Sequence, residues 1–176
     1  MAKIISGKFE FEIIITDYVT DCIYYEFFFR WENNHIINDA ILKRGSTYWK
    51  SRNKSGILTN DDKIEFLINS LNQVIYETKI IEWLPLEPDV SIKVERIENN
   101  KDLDILKYEK IPNDFYKMTI FVDTYNFKNQ LAYSGAGLSF IIYVTRNDLE
   151  KFVTGLENEY KILYENLLRN NKSNSI

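Results

Sequence analysis

Apolar and polar residues alternate along several stretches of the chain, and a two-residue period marks strands with one wet face. Phe9, Phe11, Ile13 and Ile15 fall on one side of the first stretch, with Glu10 and Glu12 on the other. A turn region is expected over Asp17–Asp21. Beyond it, Ile23, Tyr25, Phe27, Phe29 and Trp31 share a face opposite Tyr24, Glu26, Phe28 and Arg30. Glu32-Asn33-Asn34-His35 reads as a hairpin turn, because Asn tolerates positive φ. A third, less regular strand follows over His35–Leu42. Three later stretches carry the same period. They are Val90, Ile92 and Val94; Tyr116, Met118, Ile120 and Val122; and Leu138, Phe140, Ile142 and Val144.

Two other stretches have the helical period. Ile64, Leu67, Ile68, Leu71, Val74 and Ile75 form one stripe of a helix expected over Asn60–Thr78. Thr59 or Asn60 can cap it, and Asp61 and Asp62 suit the positive end of its dipole. Phe66 points to the opposite side, either under another element or toward a partner. A second helix starts at Thr145, where Thr145-Arg146-Asn147-Asp148 fits the capping-box spacing. Its stripe is Leu149, Phe152, Val153, Leu156, Tyr160, Leu163, Tyr164 and Leu167. Gly155 lies off this stripe and costs about 1 kcal/mol of helix propensity relative to Ala. The polar tail Asn170–Ile176 is expected to be disordered.

Between the helices, Pro85 and Pro88 break both helix and strand, so Glu82–Glu95 begins as a stiff extended connector. Trp83, Leu84 and Leu86 are too apolar for a solvated linker, and Trp83 is expected to pin it to the core. The connector joins halves 1–80 and 81–169, each made of strands followed by one capped amphipathic helix. The helical stripes match at an offset of 85, Ile64 with Leu149 and Leu71 with Leu156. The pattern predicts a single α+β domain over 1–169, with antiparallel sheets of about six strands and two helices. The segment 98–114 reads as a long polar loop with one short element around Leu103, Ile105 and Leu106, and 124–137 as a loop rich in Asn, Gly and Tyr.

Composition narrows the function. The 12 Tyr, 11 Phe and 3 Trp make up 15% of the chain, a content that suits both cores and interfaces. A net charge of −4 argues against a general nucleic-acid or anionic-membrane binder. Cys22 is the only cysteine and His35 the only histidine, which excludes a disulfide framework and a histidine-based zinc site. Counting from the hairpin turn places Cys22 and His35 far apart, against a nucleophilic Cys–His pair. The reading is a non-enzymatic cytoplasmic protein with no cofactor and no metal. Ser134-Gly135-Ala136-Gly137 leads into a strand, not a helix, so it is a turn or bulge and not a phosphate cradle.

Two segments carry candidate contacts. Glu87 and Asp89 flank Pro88, and with Asp123 and the aromatics Tyr125 and Phe127 they form a candidate protein-binding set. Turn chemistry, with Asp89 placed before a strand, is the plainer reading of Glu87 and Asp89. The segment 43–54 has five basic and no acidic residues. Its Tyr48, Trp49, Lys50, Arg52 and Lys54 are the alternative, a single-stranded nucleic-acid site or else a solvated loop.

Glu82-Trp83-Leu84-Pro85-Leu86-Glu87-Pro88-Asp89, with the strand–strand–helix plan on either side, resembles small immunity proteins of bacterial polymorphic and contact-dependent toxin systems, including the WapI-type group. The resemblance implies a cytosolic protein that binds a cognate toxin, often a nuclease, and neutralises it by covering its active site.

Overall fold

The structure, a computed structural model, describes residues 1–19, 22–37, 57–58, 64–77, 80–84, 90–97, 114–123 and 137–173. They form β1 (Ala2–Ser6), β2 (Phe9–Val19), β3 (Cys22–Trp31), β4 (Asn34–His35), β5 (Ile57–Leu58), α1 (Ile64–Tyr76), β6 (Ile80–Trp83), β7 (Val90–Ile97), β8 (Phe115–Asp123), β9 (Gly137–Thr145) and α2 (Arg146–Ser173). The class is α+β. One antiparallel sheet has the order β1-β2-β3-β4, with β5 also on β3, and the other has the order β6-β7-β8-β9.

The described residues thus hold nine strands, where the pattern predicts about six. β1, β5 and β6 are two to five residues long, too short to show a clear period. The third predicted strand shrinks to Asn34–His35, and residues 38–42 lie outside the described region. The predicted turn at Asp17–Asp21 is largely strand, since β2 and β3 stay paired to Val19 and Cys22. A register shift between Ile15 and Asp17 reverses the facing of the residues after it, and the alternation dissolves there.

The hairpin turns follow their residues. Gly7 takes φ 61° between Ser6 and Phe9, the first position of a two-residue turn that glycine tolerates best. Glu32 and Asn33 both have positive φ, 48° and 66°, between the paired Trp31 and Asn34. The tight hairpin expected there forms, with Glu32 and not Asn34 in the loop.

The α1 stripe is buried, and so is the α2 stripe from Leu149 to Leu156; beyond it Tyr160 and Leu163 are partly buried, Tyr164 is 53% exposed and the Leu167 side chain lies outside the described residues. The helices run antiparallel. Tyr160 Oη donates to Glu65 at 2.7 Å, and Tyr76 Oη to Glu150 at 3.4 Å. α1 lies beside β6 and β7, and α2 beside β1, β2 and β9. Leu67, Leu71, Val74, Leu149, Phe152 and Leu156 are fully buried, each stabilising by about 1.5–3 kcal/mol for its larger side chains. Trp83 is 2% exposed in β6, so it anchors the connector as expected. Phe66 is 57% exposed.

α2 begins with the predicted capping box. The Asp148 N–H donates to Thr145 Oγ1 at 3.3 Å, and the Thr145 N–H to Asp148 Oδ2 at 3.1 Å. The helix runs on through Ser173, past Asn170, where a disordered tail is expected from the polar composition. Gly155 is buried and not idle. A Cβ there would lie 2.6 Å from the Met1 carbonyl oxygen and 2.7 Å from Ala2 Cα, so its missing side chain lets β1 lie directly on α2. One turn on, Glu159 accepts from the backbone N–H groups of Ala2 at 2.9 Å and Ile15 at 3.0 Å. That carboxylate satisfies donors at the start of β1 and at the register shift in β2.

Candidate functional site

The two sheets meet through β9. Phe140 stacks on Phe29 with centroids 4.6 Å apart and on Phe9 at 5.4 Å, joining the core faces. Ser6 Oγ donates to the Tyr143 carbonyl at 2.8 Å. Beside this junction a cleft of about 430 Å³ opens. Ser6, Phe9, Trp31 and Ile36 form one wall, and residues 139–143 of β9 form the other. None of these side chains carries a charge. The volume lies within the roughly 300–1,000 Å³ of ordinary ligand sites.

Trp31 continues the core face of β3, opposite Phe9 across the ladder, yet it is 51% exposed. Leu138 continues the core face of β9 and is 50% exposed. Ile36 and Ile141 add apolar surface at 44% and 54% exposure. The core is therefore open at this end. Sequence parity placed Trp31 inside, and only its position at the end of a strand hinted otherwise.

The backbone of β9 adds a second feature. The Arg146 N–H donates to the Asp114 carbonyl at 3.1 Å, in line with the β8–β9 pairing of Phe115 with Thr145. Antiparallel ladders alternate hydrogen-bonded and non-bonded pairs. Counting back in twos, Val144, Ile142, Phe140 and Leu138 face β8, while Tyr143, Ile141 and Ser139 turn their N–H and C=O groups away. The Ser6–Tyr143 bond agrees with this and shows that the edge points into the cleft. Among the described residues, the outward backbone groups of Ser139 and Ile141 have no partner. At the other edge of this sheet the same count turns Ile80 and Glu82 outward from β6, and Glu82 carries a charge of the kind that blocks edge pairing.

The outer face of the first sheet holds an ionic cluster. Arg30 pairs with Glu10, lies 2.7 Å from Glu12 Oε2, and sits 4.8 Å from the centroid of the Phe28 ring. Lys3 reaches Glu10 at 3.0 Å. Burial works against charge on both Glu10 and Arg30. Even so, Lys3 and Arg30 hold the Glu10 carboxyl below its ordinary value, and Glu12 and Glu10 hold the Arg30 guanidinium above its own. Glu12 is 4% exposed, so this is a partnered structural cluster.

Of the candidates read from the sequence, Glu87, Asp89, Tyr125 and Phe127 lie outside the described residues. So do Tyr48, Trp49, Lys50, Arg52 and Lys54. Asp123 ends β8, paired with Gly137, and its side chain also lies outside them. Gly137 fits its role as the entry to a strand, since a Cβ there would meet the Phe121 ring at 2.9 Å and the Val122 backbone. Cys22 begins β3, while His35 pairs with Arg30 near the other end, about 25 Å away at 3.3 Å per residue. Among the described residues no three His, Cys, Asp or Glu side chains cluster as metal ligands, and no helix is long and apolar enough to cross a membrane. No family model, curated protein or solved structure matches the chain.

Proposed function

We propose that this protein acts by binding another protein rather than by catalysis, and that the open end of the core is the docking surface. One observation carries the reading: Trp31, a core-facing tryptophan, stands 51% exposed in an uncharged cleft that Phe9, Ile36, Phe140, Ile141 and Ile142 make largely apolar. Tryptophan is among the commonest anchors of interfaces, and an exposed apolar cleft on a monomer marks an interaction site. The resemblance to immunity proteins supports a toxin as the partner class, neutralised by coverage of its active site. The acidic and aromatic set Glu87, Asp89, Asp123, Tyr125 and Phe127 belongs to the same proposal as a second contact region, but it does not carry it.

The test is affinity capture from the organism that encodes the chain, with wild type and Trp31→Lys in parallel. The expected result is one stoichiometric protein, held by wild type, lost by Trp31→Lys, and toxic when expressed without this chain. Equal capture by the variant would move docking away from the cleft. Capture of nothing, or of nucleic acid alone, would overturn the reading.

A further inference from the structure

We infer that the cleft receives a single extended, uncharged peptide segment of the partner, which adds to β9 as a further strand and seats an apolar side chain against Trp31. The inference rests on the protein-binding reading and specifies its chemistry. Three observations carry it.

The first is the backbone. Ser139 and Ile141 present their N–H and C=O groups to the cleft at the spacing of one strand face, and a row of unpaired donors and acceptors is best met by another extended chain. Among the described residues nothing on this edge opposes pairing. The β8–β9 register runs without interruption from Asp123↔Gly137 to Phe115↔Thr145, and the outward residues Ser139, Ile141 and Tyr143 are uncharged.

The second is the opposite wall. Ser6 bridges to Tyr143, and Phe9, Trp31 and Ile36 of the other sheet face the edge across the cleft. Space beside β9 therefore ends at this chain's own first sheet. A lone segment fits there, whereas the edge of a second copy would bring its own flanking strands and first sheet into the same volume.

The third is charge. Among the described residues every side chain lining the cleft is neutral, so a charged side chain of the occupant would lose water without gaining a counter-ion from them. An alternating sequence puts one apolar side chain on Trp31 and Phe140 while its neighbours face away.

The experiment selects binders from a displayed library of random linear decapeptides, using the intact purified protein. The expected peptides are uncharged at alternate, inward-facing positions. Their binding slows hydrogen exchange at the Ser139 and Ile141 amides by about tenfold or more. The Ile141 N–H points away from β8, so Ile141→Pro deletes a cleft-facing donor while sparing the ladder, and it weakens binding by about five- to tenfold. On the peptide side, N-methylation at alternate backbone positions abolishes binding to the wild-type protein, and at the intervening positions it does not. That arm does not depend on a variant folding. Selection of no peptide overturns the inference, as does a peptide that leaves exchange at Ser139 and Ile141 unchanged. A cellular partner lost by Trp31→Lys but kept by Ile141→Pro overturns strand addition and leaves the protein-binding reading standing.

Discussion

Replacing Gly155 by Ala tests how β1 is held on α2. In an exposed helix interior the change raises stability by about 1 kcal/mol, because glycine loses more backbone freedom on folding. Here the new Cβ would meet the Met1 carbonyl oxygen at 2.6 Å, Ala2 Cα at 2.7 Å and the Met1 carbonyl carbon at 2.9 Å. Carbon atoms in contact rest about 3.5–4.0 Å apart, so β1 must draw back by roughly 1 Å. All three atoms are main chain, and no rotamer change relieves the contact. Withdrawal strains the 2.9 Å bond from the Ala2 N–H to Glu159 and loosens Ala2 and Ile4, which are 0% and 1% exposed. Overpacking of this kind costs about 1–3 kcal/mol. A weakened buried hydrogen bond adds about 1 kcal/mol, and the gain in helix propensity offsets a similar amount. The net expectation is a loss of about 1–3 kcal/mol. For a urea slope of about 2 kcal/mol per molar, the unfolding midpoint falls by about 1 M. Thr154→Ala, one residue away on the exposed side of the helix, is the control and should shift the midpoint little. A Gly155→Ala midpoint equal to or above wild type would refute the close approach of β1 to α2.

Two further perturbations follow from the ion pairs and the cap. Arg30→Met leaves Glu12, 4% exposed, without its cation and should cost about 2 kcal/mol, less than the roughly 3–5 kcal/mol of a fully dry pair because Arg30 and Glu10 keep some solvent contact. Glu10 titrates below its usual 4.5 in the folded state, so its contribution is present above that value and fades as pH falls through the folded one. Urea midpoints across about pH 3–6 should therefore fall more steeply with acid in wild type than in Arg30→Met, and parallel curves would contradict the role given to the cluster. Asp148→Ala removes one side of the capping box and should destabilise by about 1 kcal/mol, and a loss below about 0.3 kcal/mol would mean that the cap is replaced by water.

The regular parts of this fold were legible because their residues obey one period at a time. The stripes Ile64–Ile75 and Leu149–Leu156 are buried as read, and so are the alternating faces of β7 and β8 and, from Phe140 on, that of β9, while Leu138 at its start is 50% exposed. What escaped the pattern did so for physical reasons. β1 is a five-residue edge strand, Ala-Lys-Ile-Ile-Ser, and shows less than a full alternation. The bulge after Ile15 reverses the parity of β2, so Asp17 and Tyr18 looked like a turn. Gly155 looked like a helix defect, because the strand that uses its missing side chain lies about 150 residues away in sequence and no local period records it. The candidate site was the least legible part. Trp31 and Leu138 have core parity, and parity gives the face of a strand but not how far along it the cover extends.

That last distinction explains why the core is open where it is. α2 meets the first sheet at Phe11, through Phe152 with ring centroids 6.1 Å apart, and reaches Ile15 two turns later through Glu159. It therefore travels along β2 away from Phe9, and so away from Trp31, which pairs with Phe9. α1 cannot take its place. Its 13 residues span only about 20 Å at 1.5 Å per residue, and it sits beside β6 and β7. β3, at ten residues, is roughly 33 Å long and outruns α1, while α2, about 42 Å long, extends away from Trp31, so the end of the β3 apolar face lies beyond both helices. A chain whose end row met only water would gain solubility from a polar residue at position 31 and lose no packing. This chain instead puts a tryptophan there, beside Ile36 and the unblocked edge of β9, while the far edge of the same sheet is guarded by Glu82. The asymmetry between the two edges fits an end of the molecule shaped to be covered by something other than itself.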